Sequence, residues 1–321
     1  MDVREIKLEV LDRQGFIRQQ CCAIAAEVGD GTAVNALSGG VDSSVVTMLA
    51  HRALGQRLKT FFIDNGLMRH GEPQRVVAIL RECGVPVELV DAQEEFFEAL
   101  KGKSDPEEKR QAITDTFYQG VFSRLVRASG ANYLLQGTIF TDVEETVAGI
   151  KRQHNILSQL GIDTALSYGY SVIEPLIQLR KPAVRAVGQA LGLPEEIVNR
   201  PPFPGPALAT RVIGEATPER IALVRKATVI LEHELAAVDA FQYMAILHND
   251  RIPGMRNGKR DYGLQIEVRC WDTQNAVTAR PTHLPFDLLE RLAGRMTAEV
   301  PGVVSVTYNI ASKPPSTMEA V

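Results

Sequence analysis

Two glycines, three hydroxyls and one carboxylate fall within the seven residues Ser38-Gly39-Gly40-Val41-Asp42-Ser43-Ser44. Glycines let a backbone approach an anion closely, and the first N–H groups of a helix have no intrahelical partners. Together with serine hydroxyls and the helix dipole they suit a pyrophosphate. Asp42 would repel that anion unless a divalent cation joins it to phosphate oxygens, so the spacing also asks for a metal at Asp42. The competing reading is a tight turn with a helix cap. A Walker-type loop is excluded, because no Gly-Lys-Ser or Gly-Lys-Thr follows at the required spacing.

Such a loop must join a strand to a helix, and its flanks allow this. Thr32 to Leu37 is short and mostly apolar, and Val45 to Leu54 repeats apolar residues at helical spacing before Gly55. The pattern around it predicts a helix over 6–28, a strand over 58–63 ending at Asp64-Asn65-Gly66, a helix over 74–83 and a strand over 85–90. A charged helical stretch over 105–125 follows, then a strand over 133–135 ending at Gln136-Gly137-Thr138. Strands alternating with helices imply an α/β fold, a doubly wound parallel sheet with helices on both faces. Ligands in such sheets bind beyond the carboxyl ends of the strands, where Ser38, Asp64 and Gln136 fall. There the Phe62-Ile63 backbone is expected to hold a purine base and Leu67 to cover it.

Residues 149–170 break the alternation with Lys151, Arg152, Gln153, His154 and Asn155. They read either as a lid that carries a lysine over polyphosphate or as a solvated basic turn. After a helix over 182–191, Arg200-Pro201-Pro202-Phe203-Pro204-Gly205-Pro206 is the densest proline cluster and marks a domain boundary. It is either a stiff linker or a rigid loop whose arginine grips a phosphate. The division expected is 1–199 for the nucleotide domain and 200–321 for a smaller α+β domain. The latter has helices over 218–237 and 288–300, strands over 243–247, 264–270 and 303–310, antiparallel pairing and helices on one face.

With 45% hydrophobic and 23% charged residues, the chain is expected to be globular and cytoplasmic, without a signal peptide or membrane span. Its formal net charge of −4 argues against a nucleic-acid partner, with tRNA on a local basic face as the alternative. Cys21, Cys22, Cys83 and Cys270 form no Cys-x-x-Cys pair; buried reduced thiols are expected, with a sulfur-carrying role as the alternative.

Ser-Gly-Gly-Val-Asp-Ser resembles the signature of the PP-loop ATP pyrophosphatases, which cleave ATP between its α and β phosphates and transfer AMP to an oxygen. Further motifs make the chain resemble, nearly end to end, the ATP-pyrophosphatase and dimerisation portions of the GMP synthase family. They are Asp64-Asn65-Gly66-Leu67, Asp105-Pro106-Glu107 with Lys109-Arg110, Gln136-Gly137-Thr138-Ile139, Ile150-Lys151 with His154-Asn155, and Glu174-Pro175-Leu176. Later come Pro202 to Pro206 with Arg211-Val212-Ile213-Gly214-Glu215, His283-Leu284-Pro285, and Lys313-Pro314-Pro315 with Thr317 and Glu319.

The resemblance implies an adenine nucleotide α-hydrolase-like first domain. It also implies ATP- and Mg²⁺-dependent amination of xanthosine monophosphate (XMP) to GMP through an adenylyl intermediate. Ser38, Gly39, Gly40, Asp42, Ser43 and Ser44 would bind pyrophosphate, with Asp42 on the metal. Ile63, Asp64, Leu67, Gln136, Gly137 and Thr138 would line the ATP site, and Lys151 would be the lid lysine. Arg200, Pro204, Gly205, Pro206, Lys313, Thr317 and Glu319 would bind the purine nucleotide, the tail acting through a homodimer contact. No glutaminase nucleophile fits the chain, so ammonia would come free or from a separate glutaminase subunit. Departures lie on the acceptor side: Arg152 and Gln153 interrupt the lid motif, and Pro201 and Ala207 stand for a histidine and a glycine. His248 to Met255 differs from the family pattern, and the tail ends Glu319-Ala320-Val321. Another nucleotide-like acceptor, sulfur transfer, or a non-catalytic nucleotide-binding paralogue are the alternatives.

Overall fold

Asp12 starts the first long helix, its carboxylate accepting a hydrogen bond from the Gly15 amide (3.0 Å). Helix α1 therefore spans Arg13–Val28, and Leu8–Val10 forms a separate 3-10 turn in place of the continuous helix expected from Ile6. The computed structural model describes residues 3–147, 170–200, 203–256, 258–273 and 277–320. The chain forms two compact units. The first comprises Met1–Ile63, Glu72–Asp91 and Gln119–Arg200, and the second Asp64–Gly71, Ala92–Tyr118 and Pro201–Val321.

In the first unit, strand β1 (Ala33–Ala36) leads through the glycine loop into helix α2 (Val41–Leu54). Strand β2 (Leu58–Asp64), helix α3 (Glu72–Glu82) and strand β3 (Val87–Asp91) follow. The five-stranded sheet has the order β3-β2-β1-β4-β5, with β4 at Tyr133–Leu135 and β5 at Ser171–Ile173. β1 runs parallel to β2 (Ala36 opposite Phe61) and to β4 (Ala33 opposite Tyr133), and β4 runs parallel to β5. Val34, Phe62, Val45 and Leu49 are all at most 1% exposed, as a sheet covered by helices requires. One polar pair lies inside this core: the Asn35 amide donates to the Thr47 hydroxyl (2.5 Å), tying β1 to α2. Helix α7 (Phe140–Val147) lies between β4 and β5, helix α8 (Lys181–Ala190) begins with Pro182 in its first turn, and the short α9 (Glu195–Val198) precedes Arg200.

The second unit contains a helix absent from the sequence expectation, α4 (Gln93–Leu100). Its only buried anchors are Phe96 and Leu100, four residues apart among Glu94, Glu95 and Glu98, a pattern too short to stand out. The charged stretch that follows is three pieces rather than one: α5 (Pro106–Asp115), a π-helical segment (Thr116–Phe122) and α6 (Ser123–Ser129), the last of which belongs to the first unit. Asp105 caps α5 by accepting from the Glu107 and Glu108 amides (2.8 and 3.1 Å).

Helix α10 (Pro218–Glu234) precedes a long antiparallel hairpin, β6 (Gln242–Arg256) and β7 (Lys259–Asp272). Strand β8 (Arg280–Pro281) pairs antiparallel with β7, whereas β9 (Val303–Tyr308) pairs with β7 in parallel. The sheet is thus mixed, not purely antiparallel. Helix α11 (Phe286–Glu299) supplies the crossover that a parallel return needs. The hairpin is longer than expected, and along it Gly254 and Gly263 accept Val304 where a side chain would not fit. A Cβ at either position would lie 2.6 or 2.4 Å from that valine.

Thr47→Val keeps the packing but leaves the buried Asn35 amide without its acceptor, so urea unfolding should show a loss of about 1–3 kcal/mol. Glu234 on α10 is held down to about 2 by hydrogen bonds from Arg295 and Arg291 of α11. A depressed carboxylate stabilises the fold above its ordinary value near 4.5 and loses that contribution as pH falls toward 2. Glu234→Gln should remove this component from an acid titration followed by circular dichroism, leaving a flatter stability curve between pH 4.5 and 2.

Candidate functional site

Gly40 caps α2 without any side-chain hydrogen bond of its own. The first intrahelical bond runs from the Ser44 amide to the Gly40 carbonyl (3.1 Å), so the amides of Val41, Asp42 and Ser43 precede the helical ladder. Hydroxyls crowd the same turn. Ser38 Oγ lies 2.9 Å from Ser43 Oγ, and Ser44 Oγ donates to the Gly40 carbonyl (2.9 Å). Gly39 holds φ at +77°, and a Cβ there would lie 2.7 Å from Arg200 Nη1, so only glycine fits the turn. Gly137, after β4, backs onto the first turn of α2; a Cβ would lie 3.3 Å from the Ser43 nitrogen. The turn is an anion cradle of free amides, hydroxyls and close backbone.

Asp42 divides its carboxylate. Oδ2 accepts from Lys181 Nζ (2.5 Å), while Oδ1 is buried and has no hydrogen-bond partner among the described residues. The buried Gln136 Oε1 also lacks one. An orphaned carboxylate oxygen beside a phosphate cradle fits a hard cation, which uses one or two carboxylates and takes its other ligands from phosphates and water. No cluster of three or more His, Cys, Asp or Glu occurs among the described residues, so a self-sufficient protein cage is not what this site offers.

Arg200 braces the cradle from its carbonyl side. Its guanidinium donates to the Gly39 carbonyl (2.5 Å) and pairs with Glu72 at the start of α3, a side chain only 7% exposed.

The Asp64–Gly71 turn, part of the second unit, is closed by its own side chains: the Gly66 amide donates to Asp64 Oδ1 and the Leu67 amide to Asn65 Oδ1, both at 2.9 Å. Arg225 of α10 donates to the carbonyls of Gly66 (2.5 Å) and Met68 (2.8 Å). In the same unit, Pro204-Gly205-Pro206 leads into a 3-10 turn, Ala207–Arg211. The tail reaches this turn: Glu319 accepts from Gln242 (3.0 Å) and Thr210 (3.5 Å) and lies 3.9 Å from Arg211 Nε. Phe203 receives two guanidinium groups, Arg69 at 4.1 Å and Arg211 at 4.9 Å from its ring centre. Burial pushes Arg211 down to about 10.

Two family models match the chain, NAD synthase over residues 12–206 and GMP synthase C terminal domain over residues 230–320. The B subunit of the glutamine-hydrolyzing GMP synthase of Archaeoglobus fulgidus is 46% identical over 309 residues, covering 96% of this chain and 99% of that one. The chain belongs to the GMP synthase B-subunit family. The same-named protein of Thermococcus kodakarensis is 44% identical, covering 95% of this chain and 99% of its own. A glutamine-hydrolyzing GMP synthase of Aeropyrum pernix is 44% identical over 306 residues, but these make up only 59% of its length.

Of the residues that the GMP synthase resemblance singled out, Ser38, Gly39, Gly40, Asp42, Ser43, Ser44 and Gly137 meet at one turn. Gln136 adjoins them in sequence at the end of β4. Thr138 is fully buried, and its hydroxyl donates to Glu174 Oε1 (2.6 Å). Arg200, expected on the acceptor nucleotide, directs its guanidinium to the Gly39 carbonyl and to Glu72. Ile63 and Leu67 are 7% and 0% exposed, so Leu67 offers no free side-chain surface for covering a base. Lys313 exchanges main-chain hydrogen bonds with Ala279, and Thr317 Oγ1 donates to the Glu319 carbonyl (2.6 Å). Lys151 lies outside the described residues.

Sequence reasoning missed Lys181 and Glu72. A signal existed for the lysine, since a cation in the first turn of a helix opposes the helix dipole and therefore asks for a local reason. Nor are the thiols uniformly buried: Cys270 is, Cys21 and Cys83 are partly so, and Cys22 is exposed. Burial pushes Cys21, Cys83 and Cys270 upward, the reverse of what a sulfur nucleophile needs.

Arg200→Ala leaves Glu72 buried without its cation and frees the Gly39 carbonyl. Thermal or urea unfolding should register a loss of about 3 kcal/mol or more, and Arg200→Ala,Glu72→Met should recover part of it.

Proposed function

We propose that this chain is the ligase subunit that makes GMP from XMP, ATP and ammonia. The observation that carries the reading is the uncapped turn at Gly40 to Ser44 beside the unpartnered Asp42 oxygen, in a chain that aligns from end to end with the B subunits of GMP synthases. The free amides and the Ser38, Ser43 and Ser44 hydroxyls receive the departing pyrophosphate, where negative charge accumulates. Fixed donors of this kind need no reorganisation as the charge develops. Asp42 would hold Mg²⁺, which supplies charge neutralisation on the phosphates when bound.

No side-chain nucleophile is required. The C2 oxygen of XMP attacks the α phosphate, pyrophosphate leaves, and ammonia then displaces AMP from the adenylyl intermediate. The protein has to hold two nucleotides in line, and orientation of that kind supplies about 7–11 kcal/mol. Lys151 is the lid lysine of this scheme, and Pro204, Gly205, Pro206, Lys313, Thr317 and Glu319 are its acceptor-side residues.

The relatives named as B subunits, and the longer Aeropyrum pernix protein named as one glutamine-hydrolyzing synthase, support a separate glutaminase subunit as the ammonia source. A homodimer and a cytoplasmic location complete the proposal; no helix among the described residues is long and apolar enough to cross a membrane.

Incubation of the protein with ATP, Mg²⁺, XMP and ammonium should yield AMP, pyrophosphate and GMP in equal amounts. Asp42→Asn should lower pyrophosphate release at least 100-fold. Pyrophosphate without GMP would reassign the acceptor, and no AMP with any purine nucleotide would reduce the protein to a binding module.

A further inference from the structure

The motif Asp105-Pro106-Glu107 with Lys109-Arg110 has no part in the chemistry above, yet it contains one of the largest fully buried side chains of the described residues. Lys109, on α5, is 2% exposed. Its ammonium donates to three carbonyls of a single loop: Ala209 (3.2 Å), Val212 (2.7 Å) and Gly214 (3.1 Å). An ammonium has three donors and no acceptor, so this loop takes its full capacity. No carboxylate forms an ion pair with it among the described residues. Burial, with Arg220 nearby, pushes it down to about 8 against the opposing pull of Asp105. A leucine or methionine would fill the same space without a desolvated charge, so the charge calls for an explanation in the loop that it serves.

That loop follows directly on a strained residue. Ala207 has φ +54°, the one positive φ outside glycine among the described residues, and it is fully buried. A left-handed conformation persists in a non-glycine residue only where the surroundings over-determine it. Here the Ala207 amide donates to the Pro204 carbonyl (2.9 Å), Thr210 Oγ1 donates back to the Ala207 carbonyl (2.9 Å), and the Leu208 amide donates to Leu67 (2.9 Å). Lys109 then fixes Ala209, Val212 and Gly214 just beyond. A glycine at 207 would take this backbone without strain.

We propose that Lys109 is a positioning residue for the mononucleotide acceptor: its three hydrogen bonds hold the 209–214 loop, which in turn holds the strained Pro204–Ala207 turn in its receiving conformation. The inference rests on the reading of Pro204-Gly205-Pro206 as an acceptor-side turn. Lys109 acts through the backbone and does not itself touch the nucleotide.

The test is steady-state kinetics of the whole protein with ATP, Mg²⁺, XMP and ammonium, for wild type, Lys109→Met, Lys109→Gln and the double variant Lys109→Met,Ala207→Gly. Lys109→Met should raise the KM for XMP at least tenfold with the KM for ATP within twofold, and Lys109→Gln should fall between. Because glycine relieves the strain that Lys109 holds in check, the double variant should recover XMP affinity at least threefold over Lys109→Met. A purely structural role would not produce that rescue. Hydrogen exchange of the 207–215 amides without substrate should be at least tenfold faster in Lys109→Met and partly restored in the double variant. Equal rises in both KM values, no rescue, or unchanged exchange overturn the proposal. If wild type fails to use XMP, the acceptor reading falls, and the exchange measurement still decides whether Lys109 holds the turn.

Discussion

Cationic side chains that donate to main-chain carbonyls fasten the described loops on which the proposed chemistry rests. In the first unit, Arg200 takes the Gly39 carbonyl of the phosphate turn. In the second, Arg225 takes Gly66 and Met68, Arg220 takes Ile213 and His248, and Arg269 takes Thr317 and Glu319. The physical need is general. Loops rich in glycine and proline have no ladder to satisfy their carbonyls, and a buried carbonyl without a donor costs free energy comparable to a lost hydrogen bond. Arginine meets the need economically, since its planar fork serves two acceptors from one side chain.

The same interaction explains what was legible in the sequence and what was not. The strand-turn-helix around Ser38 to Ser44 is local, so its residue types announce it, and the parallel sheet follows from the alternation of elements. The brace on that turn comes from Arg200, more than 150 residues later, and spacing carries no trace of such a contact. Arg200 was legible as a phosphate-gripping cation and not as a carbonyl donor, because both uses ask for the same guanidinium. Helix α4 escaped because two apolar residues four apart are too weak a pattern. The parallel pairing of β9 depends on α11 as a crossover, a choice made by tertiary packing that the strand sequence itself does not encode.

The stretch from His248 to Met255, unusual in its residue types, is held by its own side-chain contacts. His248 stands at the start of the altered second-unit motif, and its Nε2 lies 2.8 Å from Glu267 Oε2. The other oxygen of Glu267 accepts from Arg269 Nε (2.6 Å), and Arg269 reaches the tail carbonyls. Pro253 lies within β6, at the edge of its sheet and beyond the bridge that Leu247 makes to Val212. These changes leave the paired register of the hairpin continuous apart from one irregularity near Leu247 to Arg251.

The interleaved second unit has a consequence for synthesis. Lys109 and the carbonyls that it serves are 100 to 105 residues apart, and Leu67 precedes Leu208 by more than that. At a translation rate of roughly 5–20 residues per second, the segment 92–118 leaves the ribosome about 5–20 s before its partner exists. During that interval a charged lysine destined for burial stays in water, and the early part of the chain has nothing with which to complete the second unit. Cutting the chain at Arg200 would make that delay permanent: each fragment would hold a portion of a unit that closes only when both are present.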